Sequence, residues 1–199
     1  MNNINAEFKQ GMIHAVVGPS GSGKTTLLSI IAGLDSPVSG TVTLDGIDLA
    51  ETDLDRYRRE SIAMIFQAFQ LFPLLTAIEN VCVPMQLNGI SREKAREEAE
   101  ELLRSVGIDD SLHKRFPSNL SGGEQQRVAI ARALSSGAGV ILADEPTGSL
   151  DEANGEAIIS ILRKLAHEDD YCVIVVTHNP EIAEASDVVF RMSGGMLSK

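Results

Sequence analysis

Apolar residues fall into short runs of strand length, separated by longer stretches in which they recur every three or four positions. Met12–Val17 is apolar apart from His14 and predicts a buried strand ending at Gly18. Ile62–Phe66, Val140–Ala143, Cys172–Thr177 and Asp187–Met192 predict further strands. Lys24–Ala32 predicts a helix with Leu27, Leu28 and Ile31 on one face and Gly33 as its stop. Ser91–Val106 is amphipathic: Ser91 suits the N-cap, and Ala95, Ala99, Leu102, Leu103 and Val106 form one stripe. Asp151–Ala166 repeats the pattern with Ile158, Ile161, Leu162 and Leu165, and Thr41–Leu44 predicts a short strand turned by Asp45-Gly46. Strand runs alternating with helices imply an α/β fold with a mostly parallel sheet covered on both faces. Residues 68–134 carry helical patterns and almost no strand signal. The expectation is one domain over residues 1–199, with a core of 1–67 and 135–199 and an inserted helical lobe at 68–134.

Composition changes this picture little. Hydrophobic residues make up 43% and charged residues 23%, as in ordinary globular chains. The formal net charge of -11 repels phosphate backbones and argues against nucleic acid as a partner. It equally disfavours direct contact with an anionic membrane face. Cys82 and Cys172 sit among apolar neighbours, and buried free thiols in a reducing cytoplasm are the expectation. No apolar run approaches the ~18 residues a membrane span needs. Residues 1–5 show no signal pattern. A membrane role would have to run through a partner.

The chemistry begins at Gly18-Pro19-Ser20-Gly21-Ser22-Gly23-Lys24-Thr25, which fits G-x-x-x-x-G-K-[ST] between a strand and a helix. Glycines let backbone N–H groups turn inward on phosphate oxygens, and the helix adds its positive N-terminal end. Lys24 supplies a mobile cation for the outer phosphates, and the Thr25 hydroxyl a ligand for Mg²⁺. Thr26 follows on the first turn. The segment therefore reads as a site for Mg-ATP, in the core of a P-loop nucleotide hydrolase.

A second candidate is the strand Val140–Ala143 ending in Asp144-Glu145. Ligands gather at the carboxyl ends of parallel strands. There Asp144 could hold Mg²⁺, and Glu145 could activate water. By itself such a strand end is as readily a solvated terminus; the phosphate loop upstream moves the reading to function. A third is Leu120-Ser121-Gly122-Gly123-Glu124-Gln125-Gln126-Arg127, a Ser-Gly-Gly opening a helix with Val128, Ala131 and Leu134 on one side. It makes a second anion-binding helix start.

This last run resembles the signature motif of the ATP-binding cassette (ABC) ATPases. Gln67 at a strand end resembles the family's Q-loop glutamine, Ser149-Leu150-Asp151 its D-loop, and His178 its switch histidine, all in order. The resemblance implies a head-to-tail dimer of two ATPase subunits. In it, ATP on Gly18–Thr25 of one subunit is covered by Ser121–Glu124 of the other. It also implies that Gln67 senses Mg²⁺ and the γ-phosphate, that Glu145 polarises the attacking water, and that His178 contacts the γ-phosphate. A membrane-spanning permease subunit would hold the ATPase at the inner face of the cell membrane.

The segments Phe66–Val81 and Asp144–Asp151 look like the branch serving lipoprotein release, macrolide or peptide export and the cell-division complex. A soluble, non-transport ABC ATPase, such as one for iron–sulfur assembly, is the alternative. A small-molecule kinase would not need Ser121–Gln125. One departure concerns the base. The family stacks adenine on an aromatic residue from a strand well before the phosphate loop, yet 23 residues precede Lys24. Phe8 lies too close, on what looks like the next strand. The small antiparallel subdomain near the N-terminus is therefore expected to be incomplete.

Overall fold

The computed structural model describes residues 1–199. Along the chain run β1 (Ile13–Val17), α1 (Lys24–Ile31), β2 (Thr43–Leu44), β3 (Ile47–Asp48), α2 (Leu54–Glu60), β4 (Ile62–Phe66), α3 (Ala77–Leu87), α4 (Arg92–Ser105) and α5 (Gly122–Leu134). They are followed by β5 (Val140–Asp144), α6 (Glu152–His167), β6 (Cys172–Thr177), α7 (Pro180–Ala185), β7 (Val188–Ser193) and β8 (Met196–Ser198). The main sheet has the order β4-β5-β6-β1-β7-β8. All its pairings are parallel except β7 with β8. The α/β architecture with a mostly parallel sheet is thus observed.

Both faces of the sheet are buried at β1, β4, β5 and β6, which explains why these strands read as nearly continuous apolar runs. Alternate residues point to opposite sides. Ile65, Ile141, Ala143, Val173 and Val175 face a cluster that includes α3 to α6. Val16, Leu142, Ile174 and Val176 face a second cluster with Leu27, Leu28 and Tyr57 of α1 and α2. Residues 68–134 contain helices and no strand, but they do not own a separate core. Val81, Ala99 and Leu103 belong to the same buried cluster as the sheet residues, so the helical segment is fused to one face of the sheet.

Capping sets the helix starts. Ser91, Ser121 and Asp151 each accept a backbone N–H from the first turn of α4, α5 and α6. Cys82 and Cys172 are buried free thiols, and burial raises both, Cys172 to about 11.

The N-terminal region corrects one expectation. Phe8 is not on a strand; residues 4–9 form no regular element. Its ring packs edge-on against His14 (5.3 Å) and Phe190 (5.4 Å). An isolated extended segment has no ladder partner, so burying the ring determines its path. The small antiparallel sheet is the two-stranded β2–β3 pair alone.

Asp187 holds one end of the sheet together. Its carboxylate accepts the Ile13 N–H at 2.8 Å and pairs with His167 Nε2 at 2.9 Å. Burial pushes this carboxyl up, but His167 and the Ile13 N–H outweigh it and hold it below the usual range. Its stabilisation is thus present above the unfolded carboxyl range near pH ~4 and is lost as pH falls through the lower folded value. Asp187→Ala should cost about 1–3 kcal/mol, because it strands a buried N–H. Urea unfolding at neutral pH should show that loss, and the gap to wild type should narrow in acid.

Candidate functional site

The carboxyl ends of β4, β5, β6 and β1 lie along one edge of the sheet, in register: Phe66 opposite Asp144, Asp144 opposite Val176, and Thr177 opposite Val17. Each strand therefore delivers its next residues to the same side. β1 delivers the loop Gly18–Gly23, β4 delivers Gln67, β5 delivers Glu145 and β6 delivers His178.

The loop needs its glycines at specific places. A Cβ on Gly18 would lie 2.2 Å from the Met192 carbonyl oxygen of β7, so backbone passes against backbone there. Gly23 caps α1 at φ 107°, in the left-handed region that favours glycine. Pro19, Ser20 and Gly21 form the exposed rim, and Thr26 is exposed on the first turn of α1. Lys24 is 9% exposed. Its Nζ folds back over the loop, donating to the carbonyls of Gly18 (2.8 Å) and Pro19 (3.2 Å). The Ser22 hydroxyl is buried without a partner. An ammonium held only by carbonyls, beside a glycine-rich helix start, is arranged to exchange them for an anion.

The Thr25 hydroxyl acts on the half-buried Asp144 carboxyl and favours its charged form. Burial raises the Asp144 pKa, Thr25 opposes this, Glu145 adds to the rise, and Lys24 opposes it. No group of three or more His, Cys, Asp or Glu side chains converges as a metal cage. One hydroxyl and one carboxylate instead fit Mg²⁺, which keeps its waters and arrives on phosphate oxygens.

Glu145, first past β5, adopts φ 48°, an uncommon conformation costing about 1 kcal/mol. Its N–H bonds the Val176 carbonyl at 2.9 Å. Its carboxylate meets His178 Nδ1 at 2.7 Å through one oxygen. The other oxygen accepts the Thr177 hydroxyl at 2.9 Å and the His178 N–H at 3.3 Å. The His178 side chain is 72% exposed and that of Glu145 17%. A carboxylate and an imidazole from neighbouring strand ends thus form one proton-handling pair.

Gln67 is exposed. It follows Phe66, the register partner of Asp144, and so lies beside Glu145. Its amide rests over Gly148, where a Cβ would come within 2.9 Å of Nε2. Gln67 therefore joins the β5 exit and not the phosphate loop. In the strand order, β4 and β1 are three places apart, roughly 14 Å at the usual spacing.

Ser121, Gly122, Gly123 and Glu124 form a capping box. The Ser121 side chain accepts the Glu124 N–H (3.3 Å), and Glu124 accepts the Ser121 N–H (2.7 Å). Gly123 has no room for a side chain: a Cβ would lie 1.9 Å from Asn154 Oδ1. Asn154 is in turn held by both oxygens of Asp151.

Several positions escaped sequence reasoning. Gln126 is fully buried, and its amide donates to Pro146 O (2.8 Å) and Phe66 O (3.4 Å). It ties the start of α5 to the exits of β4 and β5. At the other end of α5, Arg132 donates to the carbonyls of Gln70 and Phe69 (3.1 Å for the latter). The one signal for Gln126 was its place on the same helix face as Ala129, Ile130 and Ala133.

The chain's residues 1–148 match the family model described as ABC transporter. It is similar to an uncharacterized ABC transporter ATP-binding protein of Methanocaldococcus jannaschii, MJ0796, at 42% identity over 100% of this chain and 87% of the relative. That cassette has been solved as a dimer, which superposes with a TM-score of 0.90 over 99% of this chain and 88% of that one. It has also been solved in a post-hydrolysis dimeric state bound to ADP and Pi, with a TM-score of 0.89. A lipoprotein-releasing system ATP-binding protein, LolD 2 of Rhodopirellula baltica, is 43% identical over 99% of this chain and 80% of its own length. The macrolide export ATP-binding/permease protein MacB of Vibrio parahaemolyticus is 43% identical over 98% of this chain and 30% of its own length. With a nucleotide-type phosphate loop, a paired acid and histidine, and a signature helix on one sheet edge, the chain belongs to the ABC transporter family as one of its ATP-binding cassettes.

Proposed function

We propose that the chain binds Mg-ATP at Gly18–Thr25 and Thr26, hydrolyses it with Glu145, and drives a membrane-spanning partner as a head-to-tail dimer. One observation carries the reading: Lys24, Thr25, Asp144, Glu145 and His178 arise from three strands yet meet on one edge. Lys24 would exchange its loop carbonyls for the β- and γ-phosphates. Thr25 and Asp144 would hold the magnesium ion, which would supply charge neutralisation at the outer phosphates. Glu145 would take the proton of the attacking water, and His178, the more exposed of the pair, would turn towards the γ-phosphate.

Ser121–Glu124 stand at the β4–β5 end of the edge, tied there by Gln126 and away from β1. A second subunit would bring its own Ser121–Gly123 to this subunit's phosphates. Gln67, beside Glu145, would report the bound state to the segment that follows it. The similarity to MJ0796 supports the dimer, and those to LolD 2 and MacB support the lipoprotein-release and macrolide-export branch. The site of action would be the inner face of a membrane, reached through the partner. As a test, Mg²⁺-dependent turnover per subunit should rise with protein concentration and vanish in Ser121→Arg. Full turnover in a folded Ser121→Arg variant would overturn the shared site.

The segment after Gln67 supports a docking role for the membrane partner. Of the four apolar side chains there, Phe69 and Leu71 are half-buried, whereas Phe72 is 48% and Leu74 86% exposed. Phe72 lines a groove with Arg58, Arg59, Pro84, Leu87 and Arg132. A short cytoplasmic helix of the partner would lie there, and α5 would link it to Ser121. Phe72→Asp should leave basal ATPase within about twofold, because it touches no phosphate group, while uncoupling ATPase from transport in reconstituted vesicles. Normal coupling in that variant would assign the segment to packing alone.

A further inference from the structure

We infer that Thr177 is a positioning residue for hydrolysis: its hydroxyl proton is committed to Glu145 and pins one carboxylate oxygen while leaving the other free to act. Thr177 closes β6 and is 0% exposed. Its Oγ1 accepts the Asn179 N–H at 2.9 Å and stands 2.9 Å from Glu145 Oε2. A hydroxyl has one proton, and an ionised carboxylate only accepts. With a backbone N–H already donating to Oγ1, the proton points at Glu145.

The origin of this relay is rigid. Asn179 N-caps α7, its Oδ1 accepting the Glu181 N–H at 2.8 Å, and its Nδ2 reaches Thr147 Oγ1 at 3.4 Å. The Asn179 N–H therefore cannot turn away without undoing the start of α7. The contrast with His178 is what gives Thr177 its role. His178 bonds Glu145 Oε1 through a ring that is mostly exposed and free to swing. Thr177 bonds Oε2 from a buried strand position that has nowhere to go. When the His178 ring swings away, Oε1 is released to accept a proton from water, while Oε2 stays fixed by the shorter Thr177 hydroxyl bond and the longer one from the His178 backbone N–H.

The inference rests on Glu145 as the base, and the experiment separates the two. Thr177→Val keeps the shape and removes the proton; Thr177→Ser keeps the hydroxyl. Steady-state kinetics, ATP affinity and thermal melting are measured together. A hydrogen bond to a charged group, once lost, corresponds to about a ten- to hundredfold fall in kcat. Thr177→Val should show that fall with KM for ATP within about twofold, and Thr177→Ser should recover most of kcat. If the valine variant does not fold, Thr177→Ala against Thr177→Ser supplies the same comparison. In a Glu145→Gln background Thr177→Val should add little further loss, because the group it orients has gone. Wild-type kcat in Thr177→Val, a KM rise that accounts for the whole loss, or no recovery in Thr177→Ser would overturn the inference. If Glu145→Gln itself retains turnover, the fault lies with the base assignment instead.

Discussion

Glu145→Gln is expected to bind ATP, stop turning over, and accumulate as a dimer. Glutamine keeps the size and one acceptor oxygen, so Thr177 and the His178 N–H retain a partner, but it cannot take a proton from water. General-base catalysis is typically worth ~10²–10⁴ in rate, or about 3–5 kcal/mol of barrier. Binding should survive because the proposed phosphate contacts come from Gly18–Thr25, in the loop after β1 and the first turn of α1, not from β5. The substitution also removes one negative charge beside the γ-phosphate at each of two sites. Less repulsion favours closure, and slow hydrolysis prevents release. Size-exclusion chromatography with ATP should show a dimer that Ser121→Arg abolishes. Losing the Ser121 cap costs about 1 kcal/mol, too little to unfold the chain. A Glu145→Gln protein that stays monomeric at saturating ATP, or that turns over normally, would contradict the mechanism.

Lys24→Ala should have the second large effect, at the opposite step. The Lys24 ammonium is held only by the carbonyls of Gly18 and Pro19, and a triphosphate would replace them with charge-assisted contacts. Hydrogen bonds to charged groups contribute roughly 1.5–3 kcal/mol, so ATP affinity should fall about ten- to hundredfold or more. The fold should tolerate the change, since alanine is the best helix former at this first position of α1. Affinity by titration and melting temperature, read on the same sample, distinguish the two. A folded variant with wild-type affinity would remove the phosphate loop from the mechanism.

These two effects differ in how far the sequence alone could have located them. Lys24 was legible because everything it needs is local: the strand before it, the glycines around it and the helix it opens lie within fifteen residues or so. The Ser121–Glu124 capping box is equally local, three residues apart, although only its helix start was read from the sequence. Strands β4 to β6 were legible for a related reason. Burial on both faces removes polar residues from them and leaves unbroken apolar runs. What such runs cannot specify is which pairs with which, because Ile-Ala-Met-Ile, Val-Ile-Leu-Ala and Val-Ile-Val-Val offer nearly the same surface. Glu145 and His178 are 33 positions apart, and their pairing depends on β5 and β6 being neighbours in register. The Thr177 hydroxyl, Gln126 beneath Pro146 and Asn154 against Gly123 are likewise products of that packing. Phe8 shows the converse: the family resemblance placed it on a strand, and packing of its ring against His14 and Phe190 without any ladder partner decided otherwise. Local pattern was enough for the phosphate loop, for the strands β1 and β4 to β7, for the helices α1, α4, α5 and α6 and for the Ser91 cap, because those depend on residues within a turn or two of one another; the short α2, α7 and β8 carry too few residues for such a pattern. Tertiary structure alone decided which strand ends met, and so which acid, hydroxyl and imidazole share protons, because that choice depends on long-range packing between surfaces that are locally alike.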